Sequence, residues 1–304
     1  MNRRVDMWLW AGVVCLTTSC ATPRALSAAI EIQTEDVDRF YDLYEAAERQ
    51  PTAEQLQHSY LDPGTAGLRH LTQMRNVNAD NIARAVATQP ELYTNARLCM
   101  AALPRIRARL NRTFVKLLTI YPEATRPPVT MVVSRGRPVA IAGPEGGVQI
   151  AIEALCSQTA AKYLGENIDD RFVNVIAHEY IHVQQPPERK NPTVLERALE
   201  EGVAEFLGEL ISGDVANVAI HASAKGREQE IEAKFVTELD SRDLSAWFDN
   251  TTPDDAGQLG YWVGYRMAKS YYLSAKDKRA AIREMLQISD TRSFMAKSGW
   301  QPGA

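Results

Sequence analysis

The feature that most constrains the fold is an apolar stretch at residues 171–185, RFVNVIAHEYIHVQQ. Its hydrophobic residues fall on several sides of a helix, which predicts a buried helix ended by Pro186 and Pro187. Asp169 and Asp170 before it predict an N-cap and favourable negative charge at the helix start. Because a helix of this kind is stable only when covered, the rest of the chain is expected to pack around it.

Two histidines in this helix are four positions apart. Positions i and i+4 share a helix face, so His178 and His182 present their imidazoles side by side and can bind one Zn²⁺ ion. Glu179 lies next to that face, where it can take a proton from an attacking water molecule. The alternative is two histidines packed near a helix end. Unpaired His and Glu in so apolar a helix would be costly, which favours the metal site.

A second helix is predicted over residues 191–213, with Pro192 in its first turn. On it Glu201 and Glu205 are four apart and share a face. Glu201 lies 201 − 182 = 19 positions after His182. The alternative for both glutamates is a solvated acidic face, since other acids lie nearby in the sequence.

The two helices together resemble those of the gluzincin metallopeptidases, such as thermolysin and the aminopeptidase N type. In that family an HExxH motif precedes a ligand glutamate on a following antiparallel helix, and the segment E-G-V-A here is similar to part of the aminopeptidase N-E-G-F-A segment. The resemblance implies a zinc-ligand set of His178, His182 and Glu201, with one zinc per chain. It also implies Glu179 as general base and Glu205 as a carboxylate that orients a ligand histidine.

A closer resemblance is to bacterial lipoproteins described as zinc-dependent proteases and related to a gliding-motility lipoprotein. It is carried by AHEYIHVQQ, EEGVAEFLGELISG and GYWVGYRMAKSYY, and it implies a peptidase of the cell envelope with a peptide or protein substrate. Two departures separate the chain from the large aminopeptidases. Glu200 stands where they have Asn, and no G-x-M-E-N block lies upstream. Aminopeptidase specificity is therefore not implied.

The block at residues 259–272, LGYWVGYRMAKSYY, has Gly260 and Gly264 at a spacing that allows close helix approach. Tyr261 can then donate a hydrogen bond to the tetrahedral oxyanion, as tyrosines do in gluzincins. The alternative is a stripe of aromatic core residues. The rival donors are Tyr265, Arg266 and His221.

Residues 1–19 have a basic start at Arg3 and Arg4 and a short apolar core, which predicts an export signal. The following T-T-S-C resembles a bacterial lipobox and implies lipidation of Cys20, with ordinary secretion or an uncleaved anchor as alternatives. Ala21 after that cysteine is similar to Gram-negative lipoproteins sorted to the outer membrane. The expected location is therefore the periplasmic face of the outer membrane, through an N-terminal lipid anchor.

Two further cysteines remain after such processing. Cys99 and Cys156 either pair in an oxidising compartment or stay as buried free thiols. The net charge of −4 and the absence of a basic run argue against a nucleic-acid partner. Nothing in the sequence sets the oligomeric state.

The expected fold class is α+β and mostly helical, with a small β-sheet beside the HExxH helix. The gluzincin resemblance adds a zincin-like catalytic core. The expected regions after the signal are a tether (20–33), a helical N-terminal region (34–122) and a metallopeptidase domain (123–304). The strands are expected at 129–134, 138–143 and 146–152. The last is either the sheet edge that binds extended substrate or a plain core strand.

Two other functions fit parts of this pattern. One is a lipid-anchored envelope scaffold with structural zinc or none, and the other is a metal-dependent hydrolase of a non-peptide substrate. An intact Glu179 argues against the scaffold, because a structural zinc site needs no base and usually has four protein ligands.

Overall fold

Helices surround one small sheet in the computed structural model, which describes residues 29–252 and 255–303. This confirms the mostly helical α+β class. The predicted export signal and Cys20 lie outside the described residues. No helix in the described part is long and apolar enough to cross a membrane.

The helices of the first part of the chain are short up to α5 and are followed by one long helix. They are α1 (Glu35–Ala46), α2 (Ala53–Leu56), α3 (Ala66–Met74), α4 (Ala79–Thr88), α5 (Pro90–Cys99) and α6 (Leu103–Ile120). A π-helical turn at Gln57–Leu61 and a 3₁₀ turn at Met100–Ala102 extend α2 and α5.

The remaining helices follow the strands. They are α7 (Ile152–Leu155), α8 (Gln158–Leu164), α9 (Ile168–His182), α10 (Val194–Ser212), α11 (Val218–Ala224), α12 (Glu228–Glu238), α13 (Leu259–Ser274), α14 (Lys278–Leu286) and α15 (Thr291–Lys297).

The sheet has four strands, β1 (Ile32–Gln33), β2 (Val129–Val132), β3 (Ala140–Gly143) and β4 (Gly147–Ala151). Their order is β1-β2-β4-β3, with β3 antiparallel to β4 and the other pairs parallel. Strand β4 is buried throughout and lies between two neighbours. Of the two roles open for residues 146–152, the structure therefore supports the core strand, and the edge of the sheet next to β4 is formed by β3.

Strand β1 lies in the segment that was expected to be a tether. Ile32 is buried and pairs with Val129 of β2, so the chain is already part of the sheet two residues before α1 begins. The hydrophobic core also runs without a break across residue 122. For example, the rings of Phe114 and Tyr180 lie 4.3 Å apart, which packs α6 against α9.

Helix α9 begins at a different cap from the one expected. The side chain of Asn167 accepts hydrogen bonds from the backbone N–H groups of Asp169 and Asp170, so Asn167 is the N-cap. The two aspartates lie in the first turn, where their negative charge interacts favourably with the positive end of the helix dipole. Asp169 pairs with Arg105, and Asp170 pairs with Arg109. The expected cap at Asp169 or Asp170 is therefore replaced by Asn167, whose side chain can reach the backbone N–H groups of both aspartates.

Helix α10 begins with a capping box in which the side chains of Thr193 and Glu196 each accept from the other's backbone N–H. Pro192 therefore precedes the cap and is not in the first turn. Gly213 ends the helix with a φ of 110°, a conformation that favours glycine.

Two glycines let the backbones of α10 and α13 touch. A Cβ atom on Gly202 would lie 2.0 Å from the carbonyl carbon of Gly264, and one on Gly264 would lie 1.7 Å from the carbonyl oxygen of Ala198. No larger residue fits at either position without separating the helices. The crossing brings the first turn of α13, which carries Tyr261, close to Glu201 on α10.

Cys99 at the end of α5 and Cys156 after α7 form a disulfide, with their Cα atoms 6.2 Å apart. The structure thus supports the pairing among the two alternatives for these cysteines. The bond ties the helical N-terminal region to the segment just before α9.

Candidate metal centre

Helices α9 and α10 bring three possible metal-ligand atoms together. The Nε2 atoms of His178 and His182 lie 3.2 Å apart, and Oε2 of Glu201 lies 3.5 Å from the first and 3.2 Å from the second. A tetrahedral ion with bonds of 2.0–2.1 Å would separate its ligand atoms by about 3.3 Å. The buried group of His178, His182 and Glu201 can therefore hold a metal ion.

Each of the three side chains has a partner on its far side. Oε2 of Glu205 lies 2.9 Å from Nδ1 of His178, although the ring is not aligned for a linear hydrogen bond. Oε1 of Gln185 lies 2.7 Å from Nδ1 of His182. A guanidinium N–H of Arg197 points to the other oxygen of Glu201, at 3.4 Å. Contacts of this kind fix which atom of each candidate ligand would face an ion.

These partners are held in turn. The carboxylate of Glu205 accepts hydrogen bonds from the backbone and the side chain of Asn217, at 2.9 and 2.8 Å. Gln185 donates to the backbone oxygen of Glu200 at 2.9 Å. Arg197 also forms an ion pair with Glu188 in the loop after α9. The three candidate ligands therefore rest on a connected set of polar contacts.

The electrostatics of the cluster are those of a cation site. Burial lowers the pKa of His178, but the carboxylates of Glu201 and Glu205 outweigh it and raise the pKa to about 10. The pKa of His182 is also raised, because Glu201 again outweighs burial. Burial alone would raise the pKa of Glu201, but the two imidazoles lower it far below its usual value. The cluster thus attracts positive charge, which a divalent ion can supply in place of protons.

Glu179 lies beside the candidate ligands but is not one of them. Burial raises its pKa, while His178, His182 and Arg75 act to lower it. Glu179 lines the cavity beside the two histidines. A carboxylate with a raised pKa is a stronger base than one in water, which suits a role in proton transfer.

Tyr261 is the only one of the four candidate oxyanion donors that lines the cavities at the metal centre. Its ring stacks on that of His178, with centroids 6.1 Å apart. Burial and then the charge of Glu201 raise its pKa far above the usual value, so the phenol keeps its proton and can donate.

The three rivals of Tyr261 are engaged elsewhere. The hydroxyl of Tyr265 donates to Glu209 at 2.8 Å. Arg266 pairs with a buried glutamate, Glu232, at 3.1 Å. Nε2 of His221 lies 3.4 Å from Glu205, behind the metal-facing side chains.

Two cavities meet at this centre. The first has a volume of about 180 Å³ and is lined by the three candidate ligands, strand β3 and Arg75. The second, of about 690 Å³, shares His178, Glu179 and Tyr261 with the first and is lined mainly by apolar side chains. A reacting group can therefore reach the candidate ligands and Glu179 through cavities that are open to the surface.

Two of the supporting residues were missed from the sequence but had a signal in it. Arg197 lies four positions before Glu201 on one helix, the spacing of an i,i+4 ion pair. Gln185 lies three positions after His182, at the end of the same segment. Arg75 had no such signal, because it comes from α3 and its linker in the N-terminal region, far away in the sequence.

No family model matches this chain, and no curated protein or solved structure was found to match it. The likeness to gluzincins therefore stays a hypothesis, supported by the motif residues and by how the structure arranges them.

Proposed function

We propose that the chain is a zinc-dependent peptidase with a zincin-like, gluzincin-type core. The observation that carries this proposal is the triangle of ligand atoms from His178, His182 and Glu201, with sides of 3.2, 3.2 and 3.5 Å. These separations fit a tetrahedral zinc ion, and two imidazoles with one carboxylate form the donor set of known catalytic zinc sites. Three protein ligands leave one position open.

The residues around the triangle fit hydrolysis. Zinc, when bound, supplies a Lewis acid that polarises a carbonyl and makes water easier to deprotonate. Glu179 accepts the proton of the attacking water and passes it to the leaving amine. Tyr261 donates a hydrogen bond to the oxygen on which negative charge develops. Arg197 keeps one carboxylate oxygen of Glu201 turned away from the ion.

Strand β3 is suited to bind an extended peptide. The backbone oxygen of Val139 accepts from the N–H of Ala151, and alternation along an antiparallel pair then turns the main-chain groups of Ala140 and Ala142 away from β4. Both alanines line the cavity that holds the candidate ligands. A substrate pairing with this edge would pass in front of the metal centre.

The proposed location is the periplasmic side of the bacterial outer membrane, through a lipid on Cys20. The disulfide between Cys99 and Cys156 supports an oxidising compartment. The scaffold alternative has less support, because the candidate ligands number three and open onto a cavity that also contains Glu179.

Zinc-dependent hydrolysis tests the proposal. A chelator should abolish cleavage of a mixed set of fluorogenic peptides, and cleavage should return when zinc is restored. Magnesium added in place of zinc is the control and should restore nothing, because Mg²⁺ prefers oxygen ligands in octahedral geometry. Cleavage that persists without metal, or zinc-loaded protein that cleaves no peptide, would contradict the proposed function.

A further inference from the structure

Three arginines line a groove of about 430 Å³ beside the metal centre. Arg84 comes from α4, while Arg135 and Arg137 come from the turn between β2 and β3. No carboxylate lines this groove, and within residues 29–252 and 255–303 none of the three arginines forms a salt bridge. Arg84 instead donates to the side chain of Asn81, at 3.2 Å. Three clustered cations without a counter-charge are unusual on a surface that otherwise pairs many of its arginines.

The side chain of Arg135 indicates that the groove binds an anion. Its Nε atom is buried and has no hydrogen-bond partner among the described residues. Burial, and then the neighbouring charge of Arg137, lower the pKa of Arg135. A buried cationic N–H without an acceptor is costly, and an anion in the groove would satisfy it.

The turn that carries Arg135 and Arg137 is fixed in place. Oε1 of the buried Glu153 accepts hydrogen bonds from the hydroxyl of Ser134 at 2.8 Å and from the backbone N–H of Gly136 at 2.9 Å. Glu153 itself does not line the groove. The arginines are therefore held in position before a ligand arrives, which reduces the entropy lost on binding.

The groove is continuous with the metal centre. It shares Gln89, Gly136 and Arg137 with the cavity of about 690 Å³, and that cavity reaches His178 and Glu179. Along the chain, Arg137 is three residues before Ala140, which lines the metal cavity. An extended chain advances at most about 3.6 Å per residue, so the groove begins within about 11 Å of Ala140.

We propose that Arg84, Arg135 and Arg137 form a carboxylate-binding subsite, which selects peptides with an acidic side chain or a free carboxyl terminus about three residues from the scissile bond. A guanidinium group presents a planar pair of donors that matches a carboxylate. A peptide lying along β3 would place such a group at the arginines. This inference rests on the proposed peptidase function, because it assumes that a peptide binds along β3 and is cleaved at the metal centre.

The first test measures cleavage of peptides in which a single Glu is moved along an otherwise neutral sequence. Each peptide has a partner with Gln at the same position. We expect kcat/KM to rise about tenfold or more when Glu stands near the third position on one side of the bond. The same peptides made with a free or an amidated carboxyl terminus show whether the groove prefers the Glu side chain or the carboxyl terminus.

Arginine variants assign that preference to the groove. Arg135→Gln and Arg137→Gln should remove most of the Glu-over-Gln preference, measured as the ratio of kcat/KM for the two peptides of each pair. Arg112→Gln is the matched control, because Arg112 is exposed on α6 and lines neither the groove nor the metal cavities. Equal cleavage of Glu and Gln peptides, or a preference that survives both variants, would overturn the subsite.

A binding measurement separates this inference from the peptidase proposal. Fluorescein-labelled Glu and Gln peptides are titrated with zinc-free protein and followed by anisotropy. Tighter, salt-sensitive binding of the Glu peptide, lost in Arg135→Gln, would support the subsite even if no peptide were cleaved. Equal binding of both peptides would overturn it. Inorganic phosphate that displaces the Glu peptide far more strongly than acetate does would overturn the carboxylate assignment in favour of a phosphoryl ligand.

Discussion

Glu179→Gln is expected to lower peptide hydrolysis by about 10²- to 10⁴-fold while zinc remains bound. The amide keeps the size of the carboxylate but cannot accept a proton from water. Glu179 is not one of the three side chains whose atoms form the ligand triangle, so the metal content should not change. The measurement is kcat/KM on a cleaved peptide beside zinc content for the same preparation.

Glu209→Gln is the matched control for this substitution. The substitution replaces the same chemical group, but Glu209 lies on α10, pairs with Tyr265 and Lys269, and does not line the metal cavity. The activity of the Glu209→Gln variant should stay near that of the wild type. If Glu179→Gln hydrolysed peptides as fast as the wild type, Glu179 would not be the base.

Gly264→Ala is expected to destabilise the protein by roughly 3 kcal/mol or more, because overpacking at a close contact forces backbones apart. Helix propensity alone favours Ala over Gly by about 1 kcal/mol, which would predict a gain. The steric effect dominates here, since the added Cβ atom would lie 1.7 Å from the carbonyl oxygen of Ala198. In a chain of this size the melting temperature should fall by roughly 6–12 °C.

Gly143→Ala provides the comparison. A Cβ atom there would meet nothing within 4 Å, and the residue lies in edge strand β3. Its effect on the free energy of unfolding should stay within about 0.5 kcal/mol. Denaturant titration of both variants measures the difference. A Gly264→Ala protein as stable as the wild type would contradict the close approach of α10 and α13.

Helical spacing in the sequence predicted that His178 and His182 lie side by side, while the gluzincin resemblance added Glu201 as the third member of the cluster. His178 and His182 share a face of α9, and the structure brings Glu201 to them from α10. Glu205, which the resemblance implied as an orienting carboxylate, lies beside His178. The shared helix faces could be predicted because i,i+4 geometry is local, whereas the contact between α9 and α10 depends on how the two helices pack.

Tertiary packing decided what the sequence left open. Tyr261 and Tyr265 are equally aromatic and lie one turn apart, but the crossing at Gly264 turns only the first towards His178. The sequences of β3 and β4 do not show which of the two lies inside the sheet, and it is the pairing of β4 with β2 that places β4 in the interior. Arg75 reaches the cavity from a part of the chain whose local pattern indicates only an exposed helix end.

The zinc content of the purified protein, beside that of His182→Ala and Glu201→Ala, tests the central claim most directly. After exposure to zinc and removal of excess, we predict about one zinc per wild-type chain and a loss or sharp weakening of binding in both variants. His58→Ala, at an exposed histidine paired with Asp62, should keep its zinc. A wild-type protein without zinc after this treatment, or ligand variants that retain it fully, would contradict the metal centre and the peptidase proposal with it.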